Sequence, residues 1–130
     1  MSIEENKAVV RRFIEAFNRR DHAGIGAVAS PELAKDVVEN WFPMNDAYWD
    51  DQRVEVTAAM ANGDAVWARL ANTRRHIGEY RGLPPTGKTL TTPGIMFARV
   101  VNGRIVETSF IWANMKEVEE LGGKIVPAAQ

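Results

Sequence analysis

The sequence predicts an α+β fold in which N-terminal helices pack on a curved antiparallel sheet. Three observations carry this. Near the start, Val10, Phe13, Ile14 and Phe17 recur at helical spacing. From Arg53 onward, apolar residues alternate with polar ones, as they do in half-buried strands. Asn62-Gly63 and Asn102-Gly103 both read as tight hairpin turns, so the strands they join run antiparallel. Two helices followed by a meander give a short curved sheet wrapped on one helix, a cone with space at its open end.

The chain has 130 residues and is read as one domain over 1–130, large enough for a real core. Its 45% hydrophobic and 25% charged residues are ordinary for a globular protein. A net charge of −1 gives no reason to expect nucleic acid or a membrane surface as partner. With no cysteine there is no disulfide and no thiolate chemistry. The first residues are polar and charged, unlike a signal peptide, and no apolar run approaches membrane-spanning length. A cytoplasmic setting is the expectation. His22 and His76 lie far apart without a metal-ligand spacing, so neither a metal nor any other cofactor is expected.

Taken in order, Ser2 and Glu5 form a capping box for the first helix, which should end near Arg20. Asp21 caps a second helix carrying Ile25 and Val28, stopped by Ser30-Pro31. Leu33 to Val38 reads as a short strand. Asn40 to Asp51 reads as a loop with a short helix, and its Trp41, Phe42, Tyr48 and Trp49 serve as core or as a wall over a pocket. Strands are expected from Arg53 to Asn62, Ala65 to about Ile77, Lys88 to Val101 with a bend at Pro93-Gly94, and Arg104 to about Asn114. Lys116 to Leu121 closes the chain as a short helix.

In the last strand, strict alternation puts Ile105, Glu107, Ser109, Ile111 and Ala113 on one face and Val106, Thr108, Phe110, Trp112 and Asn114 on the other. Both faces carry apolar residues, so one should pack inward and the other against a partner subunit. Trp67, Phe110 and Trp112 are the expected anchors of a homodimer.

Between the second and third strands lies His76-Ile-Gly-Glu-Tyr-Arg-Gly-Leu-Pro-Pro-Thr-Gly-Lys88. Gly82 to Thr89 satisfies the phosphate-binding pattern G-x-x-x-x-G-K-[ST]. Pro84 and Pro85 have no N–H to offer a phosphate, and Thr89-Leu90-Thr91-Thr92-Pro93 is a poor helix start. The segment is therefore read as a rigid connection, with Gly82 and Gly87 supplying turn conformations.

A histidine followed by Gly-aromatic and Gly-x-Pro-Pro-Thr-Gly-Lys, a strand, and then Asn-Gly-Arg-Ile-Val-Glu resembles the SnoaL-like polyketide cyclase family. That family belongs to the cone-shaped nuclear-transport-factor-2-like superfamily. The resembling stretch runs from about Gly63 to Gly122, and the helix from Val9 to Asn18 agrees. The resemblance implies an enzyme that cyclises or isomerises a polyketide-like or other carbonyl compound, and it implies a homodimer. The alternative is a non-catalytic protein binding an apolar small ligand.

Histidine is the side chain suited by its intrinsic chemistry to move a proton at cellular pH, and His76 is the candidate for proton transfer. In the family, Ile-x-Glu is usually followed by a Trp and, four residues on, by an Asp acting as general acid/base. Direct register puts Ser109 and Ala113 there; a one-residue bulge puts Phe110 and Asn114. Neither supplies a carboxylate, but Asn114 or Tyr48 could orient an enolate oxygen. Phe13, Phe17, Trp41, Tyr48, Trp49 and Ala113 are the expected lining of an apolar cavity, with His76 among its few polar groups. Asp36, Glu39, Asp46, Asp50 and Asp51 are the other acids near this segment, and Arg74 and Arg75 read as a surface pair or as a site for an acidic group.

Overall fold

The computed structural model describes residues 2–124. Helix α1 spans Ile3–Asn18 and opens with the capping box: the Ser2 hydroxyl accepts from the Glu5 N–H at 3.1 Å, and the Glu5 carboxylate accepts from the Ser2 N–H. Such a cap is worth about 0.5–2 kcal/mol. Arg20, with φ 51°, reverses the chain, and Asp21 caps α2 (His22–Val28) by accepting from the Gly24 N–H.

The expected strand at Leu33–Val38 is helix instead. Ser30 caps α3 (Pro31–Asp36) by accepting from the Leu33 N–H, and Pro31 sits in its first turn. Ser-Pro is thus a start signal here, since proline at the first helical position loses no hydrogen bond. A π-helical turn at Val37–Trp41 follows and leads into α4 (Phe42–Tyr48). Pro43 has no N–H to continue regular pairing at this joint, and the wide turn absorbs it.

Four antiparallel strands follow in the order β1-β2-β3-β4: Trp49–Asn62, Ala65–His76, Thr89–Val101 and Arg104–Trp112. Strand β1 starts at Trp49, earlier than the sequence suggested, because Trp49 pairs with His76 before a bulge at Asp51 and Gln52. Pro93 and Gly94 produce no break in pairing. Gly94 is needed for another reason: a Cβ there would lie 2.2 Å from the Trp112 ring. Helix α5 (Asn114–Glu120) follows and packs against β3. Among the described residues no helix is long and apolar enough to cross a membrane.

The core lies between α1 and the concave sheet face. Val9, Val10, Phe13, Ile14 and Phe17 meet Val66, Ala68, Leu70, Met96, Ala98 and Ile105. Each large side chain buried this way contributes about 1.5–3 kcal/mol. The buried face of β2 runs Val66, Ala68, Leu70, Asn72, Arg74, His76. Its first half is apolar and its second half polar, so the cone is dry at one end and chemically equipped at the other.

Strand β4 carries the feature that sets its faces. Arg99 pairs with Glu107 but Val100 pairs with Ile105, leaving Val106 as an extra residue. The bulge switches the phase of the strand. Ile105 points inward before it; Phe110 and Trp112 pack against the core after it, and Ile111 is exposed. Phe110 and Trp112 therefore do not belong to the outward face expected to meet a partner. That face carries Met60, Trp67, Ile95 and Ile111, with Trp67 packed on Phe97.

Candidate active site

At the polar end of the cone is a cavity of about 360 Å³. Phe13 and Phe17 line it from α1, Trp41 from the π turn, Tyr48 from α4 and Trp49 from β1. Phe110 and Trp112 line it from β4. Trp41 sits edge-on between two of these rings, with centroids 6.2 Å from Phe13 and 5.5 Å from Phe110. Its indole N–H donates to Asp36 Oδ2 at 3.1 Å, which fixes the ring.

Two polar groups interrupt this apolar wall. In the first, Gln52 donates to Asn45 at 3.0 Å and to Asn72 at 3.2 Å, while its own oxygen accepts from Arg20 at 2.8 Å. The bulge at Asp51, whose φ is 49°, precedes Gln52 and separates its register from that of Trp49.

The second group is charged. Arg74 and Glu117 form an ion pair with side chains only 2% and 4% exposed. Arg74 also donates to the Asn72 carbonyl at 2.9 Å and to Thr92 Oγ1 at 2.6 Å, and its guanidinium lies 4.3 Å from the Trp49 ring centroid. The Tyr80 hydroxyl donates to the other Glu117 oxygen at 2.9 Å and accepts from Arg81 Nε at 3.0 Å. Burial pushes the Tyr80 phenol above its usual pKa; the Arg81 hydrogen bond opposes this, and the Glu117 carboxylate adds to it. Tyr80 is thus held as a protonated donor at neutral pH. Burial also lowers the Arg74 pKa, an effect that Glu117 opposes.

His76 stands outside this lining. It is 0% exposed, with the rings of Trp49 and Tyr80 packed at 5.4 and 6.5 Å. Its Nδ1 accepts from the Thr86 N–H at 3.2 Å, which in the neutral ring puts the proton on Nε2. Nε2 is buried without a partner. The expectation that His76 faces the cavity is corrected by this geometry: Thr86 draws the ring toward the connection between β2 and β3. That connection holds no helix, and its backbone closes through His76 N–H to Lys88 O at 2.8 Å and Gly87 N–H to His76 O at 2.9 Å.

Asn114 lines the cavity from the first turn of α5, one turn before Glu117, whereas Ala113 does not line it. Asp36, Glu39, Asp46, Asp50 and Asp51 are absent from the lining; Asp46 pairs with Arg20 and Asp50 with Arg75. Arg74 and Arg75 are not a surface pair, since they point to opposite faces of β2, one buried and one exposed. Glu117 and Tyr80 escaped the sequence reading. The signal for Glu117 was Arg74 itself: it shares a strand face with Val66, Ala68 and Leu70, and a cation carried inward on that face requires a buried anion. Among the described residues no grouping of three or more His, Asp or Glu could hold a metal ion.

The family profile of the SnoaL-like polyketide cyclases matches residues 7–120. The chain belongs to this family. As a member it is an enzyme of the cyclase type, built on the cone its fold displays. It is 29% identical to the aklanonic acid methyl ester cyclase DauD of Streptomyces sp. (strain C5), over 75% of this chain and 69% of that protein. It is 28% identical to the aklanonic acid methyl ester cyclase AcmA of Streptomyces galilaeus, over 79% and 81%. Among solved structures it is similar to AclR from Streptomyces galilaeus, a suggested hydroxylase, with 29% identity, a TM-score of 0.78 and coverage of 93% and 98%. TsrD from Streptomyces laurentii shares the fold, with a TM-score of 0.84 at 15% identity and coverage of 95% and 99%.

Proposed function

We propose that this SnoaL-like enzyme closes a ring in a small polyketide-like carbonyl compound held in the cavity. The observation that carries the reading is the Glu117 carboxylate, the one acidic side chain in the lining among the described residues, hydrogen-bonded to a phenol. Ring closure needs a base to take a proton from a carbon beside a carbonyl. The enolate carbon then attacks a second carbonyl of the same molecule, and the new alkoxide takes a proton back. Glu117 is the base, and Tyr80, kept protonated, donates to the developing oxyanion. Asn114 supplies a further amide donor. His76, proposed from the sequence for proton transfer, acts in this reading through position, since its bonds to Thr86 fix the connection that carries Tyr80. That curated relatives are aklanonic acid methyl ester cyclases supports an ester-bearing carbonyl compound as substrate class.

Turnover of aklanonic acid methyl ester tests this. Glu117→Gln should lower kcat by about 10²–10⁴-fold, the usual range for a general acid/base. Glu117→Asp keeps the charge and the fold but moves the carboxylate, so it should be impaired while still binding substrate. Full activity in either variant removes Glu117 from the reaction. A second reading, a binding protein without chemistry, is favoured by one fact: both Glu117 oxygens are already engaged, by Arg74 and by Tyr80. Binding without turnover in the unaltered protein establishes that reading.

For assembly we propose a homodimer, in a cytoplasmic setting, through the outer sheet face of Met60, Trp67, Phe97, Ile95 and Ile111. These form an apolar surface across four neighbouring strands. Sedimentation at micromolar concentration should give twice the chain mass, and Ile111→Glu should return it to a monomer.

A further inference from the structure

The cavity wall holds three charged side chains: Arg74, Glu117 and Arg81. Arg74 and Glu117 neutralise each other, so Arg81 leaves the wall with one cation in excess. Its only bond among the described residues runs from Nε to the Tyr80 hydroxyl, leaving both Nη groups without a protein acceptor. The backbone that carries this cation is fixed, although the residue itself is exposed. Tyr80 and Leu83 exchange two backbone hydrogen bonds of 2.9 Å, and the residues between them, Arg81 and Gly82, have φ of 50° and 79°. Positive φ at both positions marks a tight I′-type hairpin, which favours Asn, Asp or Gly and disfavours arginine. The guanidinium lies 5.2 Å from the Tyr80 ring centroid, and Arg81 is among the residues lining the cavity.

We propose that the substrate carries a carboxylate and that Arg81 is the residue that selects for it, its two Nη groups binding the carboxylate oxygens beside Tyr80. An arginine fork matches a carboxylate with two parallel N–H bonds, which neither a neutral ester nor a lysine reproduces. The remainder of the molecule is apolar and flat, as the rings of Trp41, Trp49, Phe110 and Trp112 require. This deepens the cyclase reading and rests on its cavity. This carboxylate is a group apart from the carbonyls that react and from their ester.

The test is binding, independent of turnover. Anthraquinone-2-carboxylic acid and its methyl ester are titrated against the full chain by calorimetry. The acid should bind at least about tenfold more tightly than the ester, the advantage of a single good charged contact. Arg81→Gln should abolish most of that difference, the acid losing far more affinity than the ester, and Arg81→Lys should retain only part of it. A merely structural role for Arg81, through Tyr80, would weaken acid and ester alike and overturns the proposal. Equal affinity for the two compounds in the unaltered protein, or binding of neither, overturns it as well. Acid preference in a protein that shows no turnover leaves it standing and sinks the cyclase reading alone.

Discussion

Glu117→Leu is expected to cost about 3–5 kcal/mol of folding stability, the penalty for leaving a buried charge without its partner. The partner is Arg74, 2% exposed, whose guanidinium keeps only the Asn72 carbonyl and Thr92 once the carboxylate is gone. The substitution itself is apolar and of similar bulk, so the loss reflects the stranded cation and not a cavity. Urea unfolding of Arg74→Met, Glu117→Leu and the double variant separates the two effects. The double variant should recover most of the loss, because two apolar side chains satisfy each other where one charge cannot. A loss below about 1 kcal/mol for Glu117→Leu would mean that water reaches the pair as it does at a surface.

Phe13→Ala is expected to cost a similar amount, about 3–5 kcal/mol, by deleting a large side chain from a site that cannot collapse. Phe13 is 1% exposed and belongs to both structures of the cone. One side of it packs in the core cluster with Val10 and Phe17; the other lines the cavity and meets the Trp41 ring. Thermal and urea denaturation measure the loss. Ligand titration should show the second consequence, weaker binding of flat molecules as Trp41 loses its edge contact. A variant that loses stability but binds normally would assign Phe13 to the core alone.

Much of the fold could be read from local chemistry. The Ser2–Glu5 box, the Asp21 cap and the two Asn-Gly hairpins are each short-range statements, and each appears in the structure. Leu33–Val38 reads as a strand but folds as helix, because a Ser-Pro pair can end one helix or begin the next and only tertiary context decides. The site was half legible. Phe13, Phe17, Trp41, Tyr48 and Trp49 all line the cavity, since large aromatics on a helix face and a short connecting segment have few places to go. His76 stands out in the sequence as a histidine beside a distinctive connection, yet its orientation depends on Thr86 across that connection. Glu117 lies in a short charged helix where most carboxylates face water, and its contacts with Arg74 and Tyr80 distinguish it.

The extra residue at Val106 has a practical consequence for altering this protein. Downstream of it, even-numbered positions of β4 are half-buried, with Phe110 and Trp112 lining the chamber, and odd-numbered ones are exposed, so the two surfaces can be varied independently along one strand. Thr108, Phe110 and Trp112 form one set, and Ser109 and Ile111 the other. Upstream, at Ile105, that parity is reversed. Deleting Val106 would therefore remove the bulge yet leave both sets facing as they do, because Val100–Ile105 and Arg99–Glu107 would become successive pairs of a regular ladder.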